Sequence, residues 1–161
     1  GKLSTPKSGK VKHLASIARD YGHRVLVPDY SATLDPDRRL QMLCKMIENE
    51  QTDDLILAGS SMGGFIATVA ATRFNVRGLF LLAPALYRPH YPQYEYDVLA
   101  DSVTVAHGWF DEVAPPESSI KFASTGNYPL HMLADGHSLG ESLGVIGSYF
   151  RLMLKELGKK K

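Results

Sequence analysis

The stretch Leu55-Ile56-Leu57-Ala58-Gly59-Ser60-Ser61-Met62-Gly63-Gly64-Phe65 decides the fold. Its first four residues are an apolar run with no polar alternation, the pattern of a strand covered on both faces of a parallel sheet. Phe65 to Phe74 is strongly apolar and predicts a helix. Between the two lies G-x-S-x-G with Ser61 at its centre. A serine between a buried strand and a helix stands on a tight, strained turn that lifts its hydroxyl above the sheet edge. Small residues are required there, because side chains at Gly59 and Gly63 are expected to clash within the turn. The N–H of Met62 then points at an oxyanion forming beside Ser61. Two plainer readings of the glycines are simple strand-to-helix packing and a phosphate-cradling loop. The second lacks the G-K-[ST] sequel.

Outward from this centre the same alternation repeats. Val11 to Tyr21 has helical spacing, with Gly22 as its stop. Arg24-Val25-Leu26-Val27 predicts a strand ended by Pro28. Asp35 caps a helix that Pro36 begins and whose apolar face is Leu40, Leu43, Cys44, Met46 and Ile47. Gly78 to Ala83 predicts a second buried strand, stopped by Pro84. Ser102 to Ala106 and Tyr128 to Leu133 predict two more strands, Pro116 to Ala123 and Ser142 to Leu157 two more helices. Strands alternating with helices imply an α/β fold, a mainly parallel sheet with helices on both faces. Residues 1–161 read as one domain, without internal repeats or a Pro/Ser/Gly linker.

Charge narrows the partners. Eighteen Lys and Arg balance 17 Asp and Glu, for a net charge of +1. That field is too weak to suggest nucleic acid. No apolar run approaches the ~18 residues of a membrane span. The Lys159-Lys160-Lys161 tail reads as solvated. One cysteine, Cys44, excludes an internal disulfide and a cysteine metal cage. With no secretory signal legible, a cytoplasmic location is expected.

A serine hydroxyl is a weak nucleophile and needs a base, itself oriented by an acid. On this kind of turn the chain order is serine, acid, histidine. Two later strand ends supply the partners: His107-Gly108-Trp109-Phe110-Asp111-Glu112-Val113-Ala114-Pro115, then Ala134-Asp135-Gly136-His137-Ser138-Leu139. Both lie at C-terminal strand ends, where open α/β sheets build their sites. Asp111 is the expected acid and His137 the expected base. Glu112 is the competing acid, and Asp135 reads as a turn former. His13 and His23 read as surface or satisfied side chains, and His107 as a brace of its own turn. No histidine pair has H-x-x-x-H spacing, so no metal is expected, and acyl transfer to water needs no cofactor.

Taken together, these stretches resemble the small capless α/β-hydrolases of the YqiA type. The likeness runs through S-x-x-S-G-K near the start, V-P-D-Y at 27–30, G-S-S-M-G-G at 59–64, L-L-A-P-A at 81–85, H-G-W-F-D-E-V-A-P at 107–115 and D-G-H-S-L at 135–139. It implies an α/β-hydrolase fold with Ser61 as nucleophile, Asp111 as acid, His137 as base and the Met62 N–H as one oxyanion donor. It also implies a buried strand ending in His-Gly, whose following loop gives the second donor. If Gly1 is that glycine, the donor falls at Lys2 or Leu3. The strand would then precede Gly1 and lie between the 24–27 and 55–58 strands. An inner gap there would leave two rows of backbone groups unpaired.

Only about 18 residues separate Pro84 from Val103, too few for a helical cap. The resulting site is expected to be open, with Tyr87 and Tyr91 as substrate-binding residues on an aromatic rim. Packing against the sheet edge is the plainer role for these rings. A small ester or thioester is the expected substrate, and an amide runs on the same chemistry. The alternative is a binding protein that keeps the fold without catalysis. Fold alone does not choose between them.

Overall fold

The computed structural model describes residues 8–92 and 95–158. Its elements are α1 (Gly9–Asp20), α2 (Pro36–Glu50), β1 (Ile56–Ser60), α3 (Met62–Ala71), β2 (Val76–Leu82), β3 (Ala100–Gly108), α4 (Pro116–Gly126), β4 (Leu130–Leu133) and α5 (Leu143–Gly158). The four strands pair in parallel in the order β1-β2-β3-β4. Each crossover therefore carries its chain back past one face, and the strand ends that lead into the next helix gather along one edge.

The predicted α/β-hydrolase architecture is what the chain adopts. Helices α2, α3 and α4 cover one face, where Leu40, Leu43, Phe65, Ile66, Val69 and Phe122 pack on Leu79, Leu81 and Val105. Helices α1 and α5 cover the other, where Ile17, Ile146, Phe150, Met153 and Leu154 pack on Phe80, Leu82 and Ala106. Burial on both faces explains why β2 lacks polar alternation over 78–82. Among the described residues no helix lies between β2 and β3, so no cap stands over the sheet edge.

Local signals act as their chemistry suggests. Asp35 accepts the Asp37 N–H at 2.9 Å and caps α2, with Pro36 at its first position. Gly22 takes φ +84° just beyond α1. The nucleophile-side helix starts earlier than its apolar run suggests, at Met62 rather than Phe65, because Met62-Gly63-Gly64 already winds helically. The core helix α3 is buried on all sides, so periodicity could not mark its start.

One expectation is corrected. Residues 24–27 form no strand of the sheet. They keep a strand's two-residue rhythm, Val25 and Val27 half-buried and Leu26 44% exposed. A cavity of about 480 Å³ separates them from β1, lined by Val25, Leu26 and Val27 on one side and Ile56, Leu57 and Ala58 on the other. Sheet pairing needs a neighbour about 4.8 Å away, and this segment has none among the described residues. Ala58 is correspondingly exposed in the middle of β1. The strand expected before Gly1 lies outside the described residues. Beyond the segment, the buried Arg39 donates from Nε to the Thr33 carbonyl at 2.7 Å and from Nη2 to the Tyr30 carbonyl at 3.2 Å, tying that turn to α2.

Candidate active site

The turn between β1 and α3 is built around Ser61, which adopts φ +56° and ψ −123°. A non-glycine residue there is strained by roughly 1–3 kcal/mol and persists only where its surroundings enforce it. They do so through three hydrogen bonds. The Ser61 N–H donates to the Leu82 carbonyl at 3.0 Å, and the Ser61 carbonyl accepts from Phe65 and Ala85 N–H at 3.1 and 3.0 Å. A Cβ on Gly59 would lie 2.3 Å from the Gly63 carbonyl oxygen, and one on Gly64 would lie 2.8 Å from the Pro84 Cβ. Crowding thus fixes glycine at 59 and 64. The Met62 side chain is buried, with its sulfur 3.4 Å from Arg39 Nη1. Its N–H opens α3 and donates to no acceptor among the described residues.

The two partner loops are pressed together. Gly108 ends β3, and a Cβ there would sit 2.2 Å from the Asp135 carbonyl oxygen. The Trp109 and Phe110 N–H groups donate to the Leu133 and Asp135 carbonyls at 2.8 and 3.0 Å. Fully buried Leu139, at φ +53°, anchors the far side of the His137 loop. Asp135 accepts from its neighbour Gly136 N–H at 2.7 Å and from Ser142 N–H at 3.0 Å, the turn-forming role expected of it.

These constraints bring Ser61, Asp111 and His137 together. His137 Nε2 lies 2.9 Å from Ser61 Oγ, and its Nδ1 lies 2.7 Å from Asp111 Oδ2. Asp111 Oδ1 accepts from Val113 and Ala114 N–H, both at 2.8 Å. Burial pushes the Asp111 carboxyl up, but the Ala114 N–H, His137 and the Val113 N–H outweigh it and hold it below its ordinary value. It is therefore an ionised, acceptor-only group at neutral pH. Its partner Nδ1 carries the proton, which leaves the Nε2 lone pair facing the Ser61 hydroxyl. Glu112, the competing acid, is exposed.

Four neighbours were not singled out for the site by sequence reasoning. His107 is fully buried and braces its own turn, as expected, with Nε2 2.9 Å from the Ala114 carbonyl, and the same nitrogen lies 3.0 Å from Asp111 Oδ2. Lys10, in the first turn of α1, donates from Nζ to the His137 carbonyl at 3.5 Å. Burial lowers its pKa against the opposing pull of Asp111 and Asp135. Trp109 and Phe110, immediately before Asp111, are 55% and 69% exposed. An aromatic pair between a strand end and an acid was the available signal for the last.

The aromatic segment is mostly structural. Tyr91 packs on Phe65 with ring centroids 4.6 Å apart, and Tyr87 meets Tyr96 edge-on at 5.0 Å. Tyr96 is buried and belongs to the core, so it is not part of a rim. Tyr87 and Tyr91 are half-buried against the same cluster. Lys2 and Leu3 lie outside the described residues. Among the described residues no helix is long and apolar enough to cross a membrane.

The model of the family described as Uncharacterised protein family (UPF0227) matches residues 1–103, a span that includes the Ser61 turn and ends before Asp111. The chain belongs to the UPF0227 family. No curated protein matches it. Among solved structures, a UPF0227 chain such as this is similar to a Xanthomonas campestris protein assigned provisionally to the hydrolases of the alpha/beta superfamily. That pair is 28% identical, with a TM-score of 0.89 over 97% of this chain and 95% of the other. A Xanthomonas campestris a/b serine hydrolase without lid shares 18% identity and a TM-score of 0.68 over 94% and 75% of the two chains. An alpha-beta serine hydrolase homologue from Coxiella burnetii shares 18% and a TM-score of 0.65 over 92% and 77%. These likenesses show the α/β-hydrolase fold.

Proposed function

We propose that the chain is a serine hydrolase that cleaves a small ester or thioester through an acyl-enzyme intermediate. The observation that carries this reading is the unbroken line from Asp111 Oδ2 through His137 to Ser61 Oγ, at 2.7 and 2.9 Å. Both separations lie within hydrogen-bond reach before any substrate is present.

In the proposed reaction Ser61 Oγ attacks the carbonyl carbon while His137 Nε2 takes its proton. Asp111 stabilises the imidazolium that results and does not itself accept the proton. The negative charge gathers on the former carbonyl oxygen, beside the Met62 N–H, which has no acceptor among the described residues. A donor of this kind contributes roughly 10²–10³ in rate. A second donor at Lys2 or Leu3 is part of the proposal. His137 then returns the proton to the leaving alkoxide or thiolate, and the acyl group stays on Ser61. Water attacks in the second half, with His137 again as base, and the acid product leaves.

Trp109, Phe110 and the half-buried Tyr87 and Tyr91 offer apolar surface for an acyl or alkyl group beside a site without a cap. A cytoplasmic setting and a small-molecule partner go with this reading. The test is a series of p-nitrophenyl esters and matching thioesters of increasing acyl length. A burst of released nitrophenolate, stoichiometric with protein, supports the acyl-enzyme. Binding of the same compounds without turnover supports a fold kept for binding alone.

A further inference from the structure

The imidazole of His107 is fully buried, and the reaction proposed above does not use it. Its hydrogen bonds fix its protonation. Nε2 faces two groups, the Ala114 carbonyl at 2.9 Å and Asp111 Oδ2 at 3.0 Å. Both are acceptors only, so Nε2 carries a proton and shares it between them. Nδ1 lies 2.7 Å from the buried Ser119 hydroxyl. Burial lowers the His107 pKa despite the pull of Ala114 and Asp111, so the ring stays neutral. Nδ1 is then an acceptor, and Ser119 Oγ–H must donate to it.

The consequence falls on Asp111. Its carboxylate takes four donors: Val113 and Ala114 N–H on Oδ1, His137 Nδ1–H and His107 Nε2–H on Oδ2. Four is about the full acceptor capacity of a carboxylate. Its orientation is closed, and the two imidazoles compete for the charge on one oxygen. Resting on the reading of Ser61, Asp111 and His137 as the reacting set, we propose that His107 is a positioning residue. Its Nε2–H holds Asp111 Oδ2 on the His137 side and limits how strongly the carboxylate stabilises the His137 imidazolium. Ser119 fixes the tautomer that makes this possible. Lys10 from α1 is a further charged group coupled to Asp111, and it donates to the His137 carbonyl.

Two substitutions separate the two ends of the ring. In His107→Gln the amide nitrogen falls near Nε2 and keeps a donor for Asp111. In His107→Asn the shorter amide reaches Ser119 but leaves Oδ2 without that donor. Both variants place one amide in the same cavity, so a merely structural role makes them alike. The expected result is that His107→Asn loses about tenfold or more in kcat with KM unchanged, while His107→Gln recovers most of it. Losing the donor concentrates charge toward His137, so the acid limb of the His107→Asn pH–rate profile moves up by about half a unit or more. Equal kcat in the two variants, or an unmoved limb in His107→Asn, overturns the proposal.

The unaltered protein gives an independent reading through ¹⁵N shifts of its histidine rings. His107 held as the neutral Nε2–H tautomer from pH 7 to 8 is the expected result. An Nδ1–H tautomer, or a ring that protonates in that range, overturns the assignment even if neither variant folds. If the unaltered protein hydrolyses no ester, the functional reading fails. The His107 proposal is then still decided by these shifts.

Discussion

The carbonyl oxygen of Asp135 occupies the place where a side chain on Gly108 would begin, 2.2 Å from an ideal Cβ. One residue thus sets the distance between the loop of Asp111 and the loop of His137. Gly108→Ala should push the loops apart. Because the obstructing atom is backbone, a stability loss of about 1–3 kcal/mol is expected, together with a fall in kcat. Gly136→Ala is the control, since its nearest neighbour is 3.7 Å away. Denaturant midpoints of the two variants, measured side by side, check this. Equal midpoints would show that the loops yield freely.

Stability should fall as the solution is acidified from pH 7 to pH 5. The His107 pKa is lowered in the fold, chiefly by burial, so the unfolded chain binds more protons across that window. The loss begins near the unfolded imidazole's pKa of ~6.5 and continues down to the folded value. His131 is shifted the same way by burial and contributes too. Asp111 acts lower: its folded pKa is depressed, so its contribution is present above ~4 and is lost as the pH falls through the folded value. Chemical denaturation of the protein and of His107→Gln at several pH values isolates the first effect. The variant should show a flatter profile between pH 5 and 7, and an identical slope would contradict the assignment.

Among the described residues no strand pairs with the outer edge of β1, and this should show in hydrogen exchange. The Ser61 N–H points at β2, where it meets the Leu82 carbonyl. Two-residue alternation puts the Leu57 and Gly59 amides on that side and the Ile56, Ala58 and Ser60 amides on the cavity side. The second set should exchange roughly a hundredfold faster or more than the first. Equal protection would mean that this edge is covered.

Much of this molecule was legible in its residues for physical reasons. Buried parallel strands have to be apolar on both faces, so 78–82 announced a covered sheet, whereas 55–58 has the same apolar pattern but leaves Ala58 exposed. Asp35-Pro36 announced a helix start because capping and a fixed φ act locally. The placing of Asp111 and His137 at neighbouring strand ends followed from the same alternation. What failed was what depends on a neighbour. Val25 and Val27 have the rhythm of a strand, but only an adjacent backbone makes one. The contact of His107 with Asp111 was hidden because it depends on how the three intervening residues fold back on themselves. The role of Lys10 was hidden because it lies 127 positions from His137.

Exposure of Phe110 and Trp109 carries a further expectation. Replacing Phe110 with Ser should alter stability by no more than about 0.5 kcal/mol, as for most surface changes. If the ring contacts the acyl group, KM should rise more for long-chain than for short-chain p-nitrophenyl esters. A uniform KM across chain lengths, compared with the unaltered protein, would place substrate elsewhere.

The central claim is that Ser61 is an activated nucleophile, and its neighbour provides the sharpest comparison. Ser60 ends β1, whereas Ser61 alone stands on the strained turn with its hydroxyl 2.9 Å from His137 Nε2. The measurement is covalent labelling by a fluorophosphonate, read by intact mass and peptide mapping, on the protein, on Ser60→Ala and on Ser61→Ala. The account predicts one adduct, mapped to Ser61, retained in Ser60→Ala and absent from a folded Ser61→Ala. Labelling that persists in Ser61→Ala, or that disappears with Ser60 instead, would contradict it.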